Sequence, residues 1–234
     1  MPQRFVILTN GRSGSTLLVD LLKSHPDIDC EPEVLNESRW KQYKRPVLWL
    51  LRAWPIPYLE WRAQRCRKAV YGFKLKTGGQ VYNLAHTTRM LFQRGWQLIY
   101  LSRRDILQQT LSWSVAQATN RWQTTPGREY DQRRVQLDKD LFLRNYSTAQ
   151  QNKLQLAAMM RTLPNLALVY EDDLARSDSL PATSARLCDF LGVQQAVLSS
   201  TLIPTWDRPY SEIVSNYVDL MAAVEKSAIL EKLR

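Results

Sequence analysis

Phe5–Leu22 reads FVILTNGRSGSTLLVDLL, and its three parts ask for three conformations. Phe5 to Thr9 is a run of apolar and β-branched residues of the kind strands prefer. Leu17, Leu18, Leu21 and Leu22 recur at helical spacing and give a core-facing stripe. Between them stands Gly11-Arg12-Ser13-Gly14-Ser15-Thr16. Ser13, Gly14, Ser15 and Thr16 can turn backbone N–H groups and hydroxyls toward an anion, and the unpaired donors of the following helix reinforce that attraction. The common nucleotide loop, GxxxxGK[ST], carries a lysine directly before its hydroxyl residue. Here the loop's cation is Arg12, which comes earlier, so the stretch is an anion cradle of a different design.

Outward from this stretch the chain alternates strand and helix. Strands are expected over Phe5–Asn10, Val70–Leu75, Leu98–Ser102 and Leu166–Tyr170. Helices are expected over Ser15–Ser24, Val81–Arg94, Ile106–Thr119, Arg144–Thr162, Leu180–Leu191 and Ile213–Leu233. Short apolar strands separated by helices imply a sheet buried on both faces. The expectation is an α/β, P-loop-like three-layer fold with a central, mainly parallel sheet flanked by helices. Such sheets bind ligands beyond the C-terminal ends of their strands. The residues to watch therefore follow Asn10, Leu75, Ser102 and Tyr170.

With 234 residues the chain reads as a single domain, 1–234, large enough for a substantial core. Two stretches, 40–65 and 121–140, read as insertions facing a second substrate. The first contains VLWLLRAWPIPYLEW (Val47–Trp61), interrupted by Arg52, Pro55, Pro57 and Glu60 and too short to span a bilayer. A net charge of +10 calls for an anionic partner. The basic residues are spread along the chain without a polybasic tail, which argues against nucleic acid. The three cysteines are scattered and show neither metal spacing nor a disulfide framework. With no leader apparent at the N-terminus, the expected location is cytoplasmic, compatible with peripheral contact at the inner face of a membrane. Oligomeric state is not legible.

A second constellation is SRRDILQQTLSW (Ser102–Trp113). Asp105 is a natural helix N-cap, which leaves Arg103 and Arg104 at the mouth of the sheet. Ser112 lies eight residues after Arg104, about two helical turns on and on the same side. An arginine and a serine so spaced can share a phosphate.

These two motifs, in this order and context, resemble the sulfotransferases that use PAPS (3′-phosphoadenosine 5′-phosphosulfate). The resemblance implies that Gly11–Thr16 binds the 5′-phosphosulfate, while Arg104 and Ser112 bind the 3′-phosphate. RSGSTLL followed by a Glu-Pro segment is most similar to the bacterial carbohydrate branch, such as trehalose and Nod-factor sulfotransferases. It covers residues 5–35 and 96–115 specifically and is architectural elsewhere. It implies that Arg12 stabilises the leaving phosphate and that no metal is needed. Arg208, in a late loop, is a further contact for the 3′-phosphate. The implied acceptor is a hydroxyl of a carbohydrate or glycolipid.

The acceptor hydroxyl needs a base. The small-molecule branch of the family uses a histidine after the strand corresponding to Val70–Leu75, and Lys74-Leu75-Lys76-Thr77 has none. The carbohydrate branch resembles this chain in carrying a glutamate soon after the first helix, and Cys30-Glu31-Pro32-Glu33 offers two. Spacing from Arg12 favours Glu33, whereas aligning the Glu-Pro pair favours Glu31. Lys74 and Lys76, two apart on a strand, share a face and are candidates to touch substrate.

Two other readings compete. LALVYEDD (Leu166–Asp173) resembles a strand ending in a magnesium-binding acid, as in a P-loop kinase or NTPase acting on a small molecule. A basic, non-catalytic binder of nucleic acid or membrane would instead show steeply salt-dependent association.

Overall fold

The computed structural model describes residues 2–36, 54–78, 82–122, 134–202 and 208–232. These group into two compact units, one formed by 1–104 and 152–201, the other by 105–151 and 202–234.

The first unit is built on five strands: β1 (Gln3–Thr9), β2 (Ile28–Glu31), β3 (Val70–Lys76), β4 (Gln97–Ser102) and β5 (Leu166–Val169). All pair in parallel, in the order β2-β3-β1-β4-β5. The alternation of β1 decides the layering. Phe5 and Ile7 enter one apolar cluster, and Val6 and Leu8 the other. Helices α1 (Ser15–Lys23) and α6 (Leu180–Leu191) supply Leu18, Leu21, Leu22, Leu187 and Leu191 to the first face. Helices α2 (Pro55–Gln64) and α3 (Leu84–Gln93), with the end of α5 (Lys139–Met160), supply Ile56, Leu59, Leu91, Leu156 and Met160 to the second. A sheet covered on both sides must be apolar on both sides, and β3 is buried from Val70 through Leu75. Trp96 is buried there, edge-on to Phe73 with ring centroids 5.3 Å apart.

The expected α/β architecture is present, with differences in detail. Sequence reading missed β2. Its four residues, IDCE, bury only Ile28 and Cys30 at the sheet's edge, and two acidic residues mask its strand character. Tyr170, read as the end of a strand, instead opens a single π-helical turn over Tyr170–Leu174. Helix α3 begins at Leu84 because the Asn83 side chain accepts from the His86 N–H. Helix α5 begins five residues before the expected Arg144, since Asp138 accepts from the Leu141 N–H at 2.7 Å.

The second unit contains α4 (Ile106–Thr119), the start of α5, α7 (Tyr210–Ile213) and α8 (Tyr217–Lys232). Leu111, Val115, Phe142, Ile213, Val214 and Leu220 form its core. A continuous helix from Ile213 is expected from sequence. The chain instead breaks after α7, where Val214 is extended and bridges Val135, with the Val135 N–H donating to the Ile213 carbonyl at 2.8 Å. Among the described residues no helix is long and apolar enough to cross a membrane. Of the segments read as facing a second substrate, 40–53 and 123–133 lie outside the described residues.

Candidate active site: the loop end of the sheet

In the order β2-β3-β1-β4-β5, the chain leaves β1 toward one edge and leaves β4 toward the other. The crevice of such a sheet lies at that reversal, beyond the C-terminal ends of β1 and β4. The 11–16 loop emerges there. Its base is pinned from both sides. Thr9 Oγ1 donates to the Leu101 carbonyl of β4 at 3.0 Å. Thr77, just after β3, donates through its hydroxyl to Asn10 Oδ1 at 2.6 Å and through its N–H to the Thr9 carbonyl at 3.0 Å.

Within the loop, Arg12 (φ 60°) and Gly14 (φ 85°) are left-handed. Alternating handedness of this kind gathers successive N–H groups into an anion-binding concavity. Gly14 is the N-cap of α1 and has no side chain to occupy the first-turn donors, which a helix leaves without internal partners. Helices α3 and α4 are by contrast capped by Asn83 and Asp105. The Ser13 hydroxyl is buried and donates to the Asn10 carbonyl at 2.8 Å, in contact also with the Thr9 hydroxyl. Ser13 therefore braces the loop with its side chain and has only its N–H to offer outward. Ser15 and Thr16 keep their hydroxyls at the helix start, where each meets Lys74 Nζ, at 3.4 and 3.3 Å.

The two candidate carboxylates separate cleanly. Glu31, the last residue of β2, accepts from Arg62 Nε at 3.0 Å and from Arg62 Nη2 at 2.6 and 2.7 Å. The Tyr71 hydroxyl adds a fourth bond at 3.0 Å. Its lone pairs are consumed in tying α2 to the sheet. Glu33, two residues further toward the loop end, faces Lys76 Nζ at 2.8 Å and Lys74 Nζ at 3.4 Å, and accepts from Asn36 Nδ2 at 3.0 Å. Lys74 and Lys76 thus share a face, as their spacing implies, and that face looks at Glu33 and the start of α1.

The electrostatics of this cluster are uneven. Burial raises the Glu33 carboxyl, but the Lys76 hydrogen bond and the charges of Lys74 and Lys76 outweigh it, and its pKa falls below the ordinary value. Burial likewise pushes the Lys74 ammonium down, and Glu33 recovers only part of the loss, so its pKa is lowered too. The two partners of one ion pair move in the same direction because Glu33 has two cations whereas Lys74 is the more deeply buried.

Beyond β4, the two arginines diverge. Arg103 turns toward the loop, where its Nη1 donates to the Arg12 carbonyl at 3.1 Å. Its guanidinium lies over the Tyr170 ring at 4.8 Å and near Glu171. A Cβ on Gly14 would collide with that same ring. Arg103 and Tyr170 therefore form the floor that holds the left-handed loop, a role sequence reading did not give to either. The available signal was the arginine pair itself, placed at the strand end. Arg104 is exposed, pairs with Asp172 and donates its backbone N–H to a Glu171 carboxylate oxygen at 2.9 Å. Ser112, on α4, is buried, and Arg208 is half-buried; both belong to the second unit.

No protein-family model matches this chain, and no curated protein matches its sequence. Solved structures do. A sulfotransferase from Alicyclobacillus acidocaldarius superposes with a TM-score of 0.53 at 13% identity, covering 87% of each chain. A sulfotransferase domain from the curacin biosynthetic pathway gives 0.49 at 17% identity over 94% of this chain and 86% of its own. A retinol dehydratase solved with retinol and PAP gives 0.41 at 17% identity over 84% of this chain and 62% of its own. At 13% identity the property shared with the Alicyclobacillus structure is the fold, a parallel α/β sheet.

Proposed function

We infer that the chain is a PAPS-dependent sulfotransferase that moves a sulfonate to a hydroxyl of a carbohydrate or glycolipid. The observation that carries this reading is the convergence of an uncapped, left-handed anion loop with a carboxylate held between two lysines at its edge. The loop suits the phosphosulfate end of the donor. Its fit to an anion rests on the first-turn donors of α1, the Ser15 and Thr16 hydroxyls and the positive charge of Arg12, Lys74 and Lys76.

In the reaction, the acceptor oxygen bonds to sulfur as the bond from sulfur to the phosphate oxygen breaks. Glu33 takes the acceptor's proton, and 3′,5′-ADP leaves. Charge grows on the departing oxygen, and Arg12 is assigned to meet it. A fixed group of this kind contributes about 10²- to 10³-fold in rate. Glu33 suits the base better than Glu31, because all of Glu31's partners are structural and none leads to the loop. Arg104, Ser112 and Arg208 are assigned the 3′-phosphate on the resemblance of their motif. Trp54, exposed just before α2, offers a flat face suited to a sugar ring.

A phosphotransferase would need the acids after β5 open to magnesium. Glu171 and Asp172 instead hold Arg103 and Arg104, and Asp173 accepts from the Val169 N–H and from Arg186 at 2.6 Å each.

The test is calorimetry with 3′,5′-ADP, followed by a mass-shift screen with PAPS across glycan and glycolipid acceptors. Saturable binding that is lost in the Arg12→Ala/Arg104→Ala double variant is expected. No binding, or binding that survives both changes, overturns the reading.

A further inference from the structure

Lys74 is buried in the middle of the site, and its ammonium has three N–H donors and no acceptor. Three oxygens surround it: Ser15 Oγ at 3.4 Å, Thr16 Oγ1 at 3.3 Å and Glu33 Oε1 at 3.4 Å. A committed charge-assisted hydrogen bond is about 2.7–2.9 Å long. All three contacts are longer, so the cation sits between the helix start and the carboxylate without closing on either.

Two consequences follow from donor counting. Ser15 and Thr16 accept from Lys74, so the single proton on each hydroxyl points elsewhere and is available to an anion in the loop. Glu33, for its part, does not depend on Lys74. Lys76 at 2.8 Å and Asn36 at 3.0 Å hold it in position. Among the described residues, the groups facing Glu33 are Lys74 and Lys76 of β3, Asn36 of its own segment and buried Tyr82 before α3. Of these, Lys74 alone also reaches the two hydroxyls at the start of α1.

We propose that Lys74 is a shared cation and positioning residue: an anion in the 11–16 loop draws its ammonium off Glu33, so that donor binding frees the carboxylate to accept the acceptor's proton. This rests on the sulfotransferase reading above, and it adds an order to it. The donor arms the base, and an enzyme without donor holds Glu33 in an ion pair.

Competition for one cation is measurable without any acceptor. Calorimetry with 3′,5′-ADP is run on wild type, Glu33→Gln, Lys74→Met and the double variant. Glu33→Gln removes the competitor and should tighten binding about five- to tenfold, the scale of one ordinary net hydrogen bond. Lys74→Met should weaken binding, and in its background Glu33→Gln should change affinity less than about twofold, because the coupling runs through Lys74. Lys74→Arg restores a shareable cation and should restore the tightening, which a merely structural lysine would not do. Thermal melts establish that each variant folds, and if Lys74→Met does not, the Lys74→Arg pair carries the comparison. Equal tightening with and without Lys74, or none in Glu33→Gln, overturns the shared cation while the sulfotransferase reading stands. Wild type that binds no 3′,5′-ADP overturns both.

Discussion

Glu31 and Glu33 are the same amino acid two positions apart, and the fold gives them opposite employment. Glu31 is locked by Arg62 and Tyr71, 31 and 40 residues away, while Glu33 meets Lys74 and Lys76. Glu31→Gln is expected to lower the melting temperature, by loss of about 1–2 kcal/mol of charged hydrogen bonding in a half-buried site, with turnover retained. Glu33→Gln should abolish turnover while 3′,5′-ADP binding is retained and tightened, read by calorimetry beside the mass-shift assay. The pH dependence follows from the same contacts. The folded-state pKa of Glu33 lies below its ordinary 4.5, so its ion pairs stabilise the fold above that value and are lost as pH falls through the depressed pKa. Thermal melts between about pH 5 and about pH 3 should therefore drop less steeply in Glu33→Gln than in wild type. Nothing in Cys30–Glu33 distinguishes the two acids, because what separates them is which distant cation each one meets.

At the scale of elements, the strand–loop–helix from β1 to α1 was legible in the linear chain because its signals are local. A strand-forming run, a glycine where the backbone must turn left-handed, and an apolar stripe all lie within eighteen residues (5–22). The packing that makes Gly14 obligatory was not legible, since Tyr170 arrives from beyond β5. Gly14→Ala places a side chain at φ 85° and drives it into that ring. Left-handed strain adds about 1–2 kcal/mol and overpacking about 1–3. A destabilisation of about 2 kcal/mol or more, with loss of 3′,5′-ADP binding, is the expected outcome in chemical denaturation and calorimetry. Edge strand β2 escaped notice because it shows only two apolar–polar repeats and owes its conformation to pairing with Val70–Phe73. The break between α7 and α8 likewise depends on Val135 pairing with Val214, which periodicity along one segment does not report.

At the scale of the whole molecule, the charge of +10 has two readings that salt separates. A generic polyanion binder loses about 10³–10⁵ in affinity between 50 and 200 mM salt, since it works by counterion release. A built cradle for one nucleotide depends on hydrogen bonds from a few fixed donors. The affinity for 3′,5′-ADP is expected to change by about tenfold or less over that range, with no saturable binding of duplex DNA at the higher salt. The converse result would assign the charge to a nucleic-acid surface. Strand and helix character, the parallel class of the sheet and the strand–loop–helix of β1 and α1 could be read in one dimension, because each depends on residues near one another in the chain or on a repeating pattern. Two things emerged only on folding: Glu33 between its lysines, and Arg103 under the loop in place of solvent. Each is a contact between residues far apart in sequence, and a parallel sheet, whose neighbouring strands are joined by long crossovers, makes its site almost wholly from contacts of that kind.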